Sequence, residues 1–235
     1  VANPNKITYS EPLLAPGVAL AWDGKQVELA AGGDCSSLTV TNGTLRLSGE
    51  LRCSQVVTVN PTGGDGAPEN GLYLAGASGW LGIVLTAGTR RDHGKIGSGT
   101  HDLVIGAWHG RCSPPLETAE GAEPVHRDGL QVMSAERVRI GWIDLQNPYP
   151  GATNGGLWLN PNKSDDAIDQ NDPTLIQDVV IEGGRIVFPN AAIHLGACTR
   201  CGAADTILIA QRPFRVNAEA VDPVDHGNLK YVLEA

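Results

Sequence analysis

Long apolar runs are missing from this sequence. Its longest uninterrupted apolar stretch falls far short of the ~18 residues that a membrane-spanning helix needs, so no membrane insertion is expected. Basic residues are scarce: 17 lysines and arginines stand against 26 acids, a formal net charge of −9. A chain of that sign repels phosphate, which argues against a nucleic-acid partner. Charged residues are only 18%, too few for disorder by charge excess, and 41% apolar residues suffice for a core. Stretches of ten good helix formers without a Gly, Pro or β-branched interruption are also lacking, so helical periodicity is nearly absent. The 30 glycines and 15 prolines follow no G-X-Y period, which excludes collagen. There is no Walker A, G-x-S-x-G or G-x-G-x-x-G motif, so nucleotide binding and α/β-hydrolase chemistry have no support.

What the sequence has is short alternating runs separated by Gly, Asn and Ser. Examples are Gln26-Val27-Glu28-Leu29, Leu38-Thr39-Val40, Thr44-Leu45-Arg46-Leu47 and Val56-Val57-Thr58-Val59. They predict many short strands with tight turns. A repeat underlies them. A small residue followed by apolar, any, apolar occurs at Gly71-Leu72-Tyr73-Leu74, Gly129-Leu130-Gln131-Val132, Gly156-Leu157-Trp158-Leu159 and Ala192-Ile193-His194-Leu195. A second pattern reads Asp102-Leu103-Val104-Ile105-Gly106, Arg137-Val138-Arg139-Ile140-Gly141, Asp178-Val179-Val180-Ile181-Glu182 and Thr206-Ile207-Leu208-Ile209-Ala210. Short strands repeated with loops of variable length predict an all-β solenoid, in which stacked coils share one core. A β-sandwich is the alternative, and Asn42-Gly43 reads as a hairpin turn that would suit it. The 235 residues fit one domain. Residues 1–17, with Pro4, Pro12 and Pro16, read as an extended lead-in, and 18–235 as the repeat domain. Residues 18–60 would form a cap or irregular first coils.

Five cysteines leave at least one unpaired in a monomer. Cys35 and Cys53 lie on neighbouring strand-like segments and suit a disulfide, which leans the chain toward an extracellular setting. Cys198-Thr199-Arg200-Cys201 has C-x-x-C spacing without a second such pair, so a disulfide or plain thiols fit better than zinc. His93, His101 and His109 read as turn and surface residues.

The stretch His126-Arg127-Asp128-Gly129-Leu130-Gln131-Val132, running on to Ile140, resembles the pectate-lyase-like right-handed parallel β-helix proteins, with their H-x-D-G-L/I-Q-V segment before an x-V-x-I strand. Asn154–Asn160 and Asn190–Leu195 resemble the next two coils, and the likeness covers roughly residues 70–215. The resemblance implies a single right-handed parallel β-helix, outside the cell, secreted or virion-associated, that recognises a polysaccharide. The family includes polysaccharide lyases and bacteriophage tail or tailspike proteins. It therefore implies either cleavage of a cell-surface or uronate-containing glycan, or binding of host glycan without cleavage. Tailspikes are often trimers, so a homotrimer is one implied assembly. Trp142-Ile143-Asp144-Leu145 is similar to the W-I-D-H of pectate lyases, with Leu145 in place of the histidine. Arg212-Pro213-Phe214-Arg215 lacks the R-x-P-x-x-R spacing, and the polygalacturonase carboxylate set is missing. The likeness thus carries fold rather than pectinolytic chemistry.

With the first-pattern strands in register, the flanking apolar residues point inward and the middle residue points outward. That predicts an outward stack of Tyr73, Gln131, Trp158 and His194, a platform for a sugar ring; covering of the aromatics by the loops is the other reading. A lyase must neutralise a uronate, take its α-proton and protonate the leaving oxygen. Arg127 or Arg215 suits the first task, His126 or His194 the second, and Tyr73 or Tyr149 the third. A hydrolase would pair Asp128 with Asp165, Asp166 or Asp169. Asp128 also reads as a turn residue holding backbone N–H groups. The loop with Asp165, Asp166 and Asp169 is oxygen-rich enough for Ca2+, but it lacks EF-hand spacing and glycine, and a solvated acidic loop fits it too. No cofactor is required by any of these readings.

Overall fold

The computed structural model describes residues 5–59, 70–89, 92–112, 128–147, 155–161, 169 and 171–234. Among them are nineteen strands and no helix. The chain opens with β1 (Lys6–Tyr9), β2 (Ala19–Asp23), β3 (Gln26–Leu29), β4 (Gly33–Thr41) and β5 (Thr44–Val59). The middle holds β6 (Asn70–Thr89), β7 (Asp92–Gly97), β8 (Thr100–Cys112), β9 (Leu130–Val132), β10 (Ala135–Gln146) and β11 (Gly155–Leu159). β12 (Ile176–Ile181), β13 (Gly184–Val187), β14 (Ala191–Leu195), β15 (Gly202–Ala204), β16 (Thr206–Ala210), β17 (Arg212–Val216), β18 (Val224–His226) and β19 (Leu229–Val232) follow.

All of the strand pairings are parallel, and they fall into three ladders. The first ladder runs β1, β3, β5, β6, β7, β9, β11, β14, β17. The second runs through the early part of β4, the middle parts of β5 and β6, the early parts of β8 and β10, then β12, β15 and β18. The third takes β2, the later parts of β4, β5, β6, β8 and β10, then β13, β16 and β19. From β3 onward the chain visits first, second and third ladder in that order and then starts again. Successive rungs lie ~4.8 Å apart.

The hairpin expected at Asn42-Gly43 is replaced by a corner. β4 and β5 pair parallel, and Asn42 takes a left-handed φ of 52° where the chain turns from the third ladder to the first. Asn is among the few residues that adopt this conformation readily, so the same signal serves a corner as well as a hairpin. Strands between Ala19 and Val59 pair in the same three ladders as the rest, and Lys6–Tyr9 pairs parallel with Gln26–Leu29 as the first rung of the first ladder.

The core is the inward column of each ladder. In the first ladder Ile7, Val27, Leu45, Leu72, Gly94, Leu130, Leu157, Ile193 and Phe214 are in register. Leu72, Leu130, Leu157 and Ile193 are fully buried, as the alternation predicts. Gly94 interrupts this column because Trp108, from the third ladder of the same circuit, fills its place: a Cβ on Gly94 would lie 2.3 Å from the indole. Trp108 donates Nε1–H to Thr86 Oγ1 at 3.1 Å, which satisfies the buried nitrogen. Cys35 and Cys53 occupy neighbouring rungs of the second ladder and form a disulfide, while Cys112, Cys198 and Cys201 are buried and not disulfide-bonded.

Two other expectations are corrected. His93 is not a surface residue; it is fully buried, with Nε2 3.2 Å from Cys112 Sγ, beside Gly110, which has no side chain to exclude it. Thr206–Ala210 is not another copy of the second pattern. It belongs to the third ladder, and the true equivalents of Arg137–Ile140 and Asp178–Ile181 are residues 200–203.

The second-pattern corners carry a column of charges. Asp102, Arg137, Asp178, Arg200 and Asp222 sit at equivalent positions, all with φ between 48° and 54°. Arg137 grips Asp102 through Nε (2.5 Å) and Nη2 (2.9 Å), and Arg200 grips Asp178 through Nε (2.6 Å) and Nη2 (2.7 Å). These two-pronged pairs join adjacent rungs and offset the cost of a left-handed non-glycine corner. The guanidinium of Arg200 holds the Asp178 carboxyl below its ordinary range, and that of Arg137 does the same for Asp102.

Candidate functional site

The outward column of the first ladder reads Thr8, Glu28, Arg46, Tyr73, Lys95, Gln131, Trp158, His194, Arg215, one residue per rung. It contains all four residues of the expected outward stack, in register, and adds Lys95 between Tyr73 and Gln131. The rung at Gly94-Lys95-Ile96 escapes the pattern because its apolar position is glycine, and only the bulk of Trp108 explains that.

The upper half of the column is internally satisfied. Arg46 lies 4.8 Å from the centroid of the Tyr73 ring and also pairs with Glu28 at 3.5 Å. Tyr73 Oη and Ser98 Oγ are 3.0 Å apart, and Lys95 pairs with Asp92 at 3.4 Å.

The lower half is different. Gln131, Trp158 and Arg215 make no side-chain hydrogen bond or ion pair among the described residues. His194 is only 4% exposed, because the edge of its ring packs against Trp158 with centroids 3.9 Å apart. Its Nε2 faces Asn217 Oδ1 at 3.1 Å. An amide oxygen only accepts, so Nε2 carries the hydrogen and Nδ1 carries a lone pair. Nδ1 is buried and has no hydrogen-bond partner among the described residues. Burial pushes the imidazole below its ordinary pKa; the bond to Asn217 opposes this, and the nearby Arg215 charge adds to it. His194 is therefore held toward its neutral form, and its buried Nδ1 is a proton acceptor without a partner among the described residues.

Asp128 is buried at the edge of this ladder. Its Oδ1 accepts the Gly155 N–H at 3.0 Å, one rung on, while its own N–H donates to Asp92 Oδ1 at 2.9 Å. Asp92 and Asp128 thus bind successive rungs together, the turn-residue arrangement. His126, Arg127, Tyr149, Asp165 and Asp166 lie outside the described residues. Asp169 accepts the Asn171 N–H through Oδ1 at 2.9 Å, and among the described residues no group of three or more His, Cys, Asp or Glu side chains could hold a metal ion. Tyr73 stands four rungs from His194, ~19 Å along the ladder, so the two cannot act on the same glycosidic bond. Sequence reasoning missed Asn217, the partner that fixes the His194 tautomer; it follows the first-ladder strand of the next rung, and no motif marks it.

No family model, curated protein or solved structure matches the chain.

Proposed function

We propose that the protein is a right-handed parallel β-helix of the pectate-lyase-like kind, which works outside the cell and binds an acidic polysaccharide along the outward column of its first ladder. Three parallel ladders visited in rotation support the β-helix, and the Cys35–Cys53 disulfide supports an oxidising, extracellular setting. The observation that carries the binding reading is the run Gln131, Trp158, His194, Arg215. On four consecutive rungs an amide, an indole N–H, an imidazole nitrogen and a guanidinium lack partners among the described residues. A pyranose stacks on the indole, its hydroxyls bond to Gln131, and its carboxylate pairs with Arg215.

We further propose that the column turns the ligand over by β-elimination. Arg215 neutralises the uronate carboxylate, which acidifies the adjacent C–H. His194 Nδ1 takes that proton, the electron pair forms a C=C bond, and the C4–O bond breaks. The leaving oxygen takes its proton from water. Non-catalytic binding, as in a bacteriophage tail module, is the second reading, and the burial of His194 favours it.

Incubation with polygalacturonate and alginate separates these. An ultraviolet rise from the unsaturated product, lost in His194→Ala while binding persists, supports elimination. Binding without any rise leaves the tail-module reading. If Trp158→Ala and Arg215→Ala both bind every uronate polysaccharide as the wild type does, the column is not the site.

A further inference from the structure

A second, separate surface has the features of a glycan platform. Trp80 (43% exposed) and Val104 are outward neighbours in the second ladder, followed by Arg139 and Val180. Three residues on, Ile83, Ala107 and Trp142 (52% exposed) are neighbours at the start of the third ladder. Between these columns runs a corner of glycines, Gly82, Gly106 and Gly141. The Trp80 ring covers the space where Gly82 would carry a Cβ (3.0 Å), and the Trp142 ring lies against Gly183 in the same way (3.4 Å). Each indole thus packs against backbone that carries no side chain, and the two residues stand two rungs or ~9.6 Å apart along the axis. Neither indole nitrogen has a hydrogen-bond partner among the described residues.

A cleft of about 410 Å³ adjoins this surface, lined by Arg137, Arg139, Asp178, Val180 and Glu182. Its charges are internally matched: Arg139 bonds Glu182, Arg137 bonds Asp102, and Asp178 bonds Arg200. It thus offers fixed donors and acceptors but no uncompensated cation, unlike Arg215 on the first ladder. Protein–protein interface cores are enriched in Trp and Arg but depleted of Asp and Glu, so Asp178 and Glu182 in the lining suit sugar hydroxyls better than a protein partner.

We infer that Trp80 and Trp142, with the cleft at Arg139 and Glu182, form a second polysaccharide-binding surface that takes neutral, hydroxyl-rich pyranose chains. It shares a ligand class with the proposed first-ladder site but neither its residues nor its charge, and it stands without that site.

Affinity electrophoresis in gels containing hydroxyethyl cellulose, galactomannan or dextran tests this. The wild type should be retarded by at least one of these. The double variant Trp80→Ala/Trp142→Ala should bind about tenfold more weakly, while Trp158→Ala keeps wild-type retardation. Polygalacturonate binding should show the reverse pattern, so failure of either site is read separately. Without any variant, the neutral polysaccharide should shield wild-type tryptophan fluorescence from acrylamide. No retardation in any of the three gels, no shielding, or equal retardation of the double variant overturns the proposal. So does a wild-type dimer in sedimentation that the double variant dissolves, which would make this surface a contact between copies.

Discussion

His194 is a histidine whose surroundings decide its chemistry. Its folded-state pKa lies below the ordinary value, so on acidification the unfolded chain takes up a proton that the folded one refuses. The stability it contributes is complete above about pH 6.5 and falls as the pH drops from there toward the lowered folded value. Thermal unfolding of wild type at pH 7.5 and 5.5 should show a loss that His194→Gln lacks; equal losses in both would mean that the imidazole titrates freely. A residue-scale test of the core is simpler. Leu130 is fully buried between Gly94 and Leu157, and Leu130→Ala should cost about 2–5 kcal/mol in denaturant unfolding. The inward and outward roles of Leu130, Gln131, Trp158 and His194 were legible because alternation fixes them. The covering of His194 was not, because it depends on Trp158 one rung away and Asn217 beyond the strand.

At the scale of the element, the strand pattern could be read wherever the inward residue stayed apolar, as in β9, β11 and β14. It failed in β7, where glycine takes that place, and it misled at β16, where an apolar alternation in the third ladder imitates the second. Corners were harder still. Arg137 and Arg200 carry no turn signature of their own; their left-handed backbone rests on ion pairs to Asp102 and Asp178 on the preceding rungs. The disulfide joins β4 to β5 across a sequence separation of 18 residues. In the chain-entropy account, closing a loop of that length contributes about 3 kcal/mol. Cys35→Ala/Cys53→Ala, or reduction under denaturant, should lower stability by that order, and an unchanged unfolding midpoint would argue that the denatured chain is already constrained there.

For the whole molecule, the acid response should be set by carboxylates that are paired in the fold. Asp178, Asp102 and Asp225 are all held below their ordinary values. Their contribution is present above about pH 4 and is lost as the pH falls through the lowered values. Circular dichroism through that range should show cooperative loss of strand signal below pH 4, shifted upward in Asp178→Asn. The homotrimer that the family resemblance implies is a separate matter, read directly by sedimentation at several concentrations.

A chain of near-identical rungs faces a hazard that irregular folds escape: it can thread itself one circuit out of place and still bury most of its apolar surface. The pairing of Gly94 with Trp108 removes that degeneracy. In a slipped alignment the indole would meet Leu72 or Leu130 instead of an empty position, and one volume mismatch would penalise the whole misaligned stack. Trp108→Leu should therefore do more than destabilise. Refolding followed by fluorescence of the remaining tryptophans should acquire slow phases from chains that must unthread before they can pair correctly.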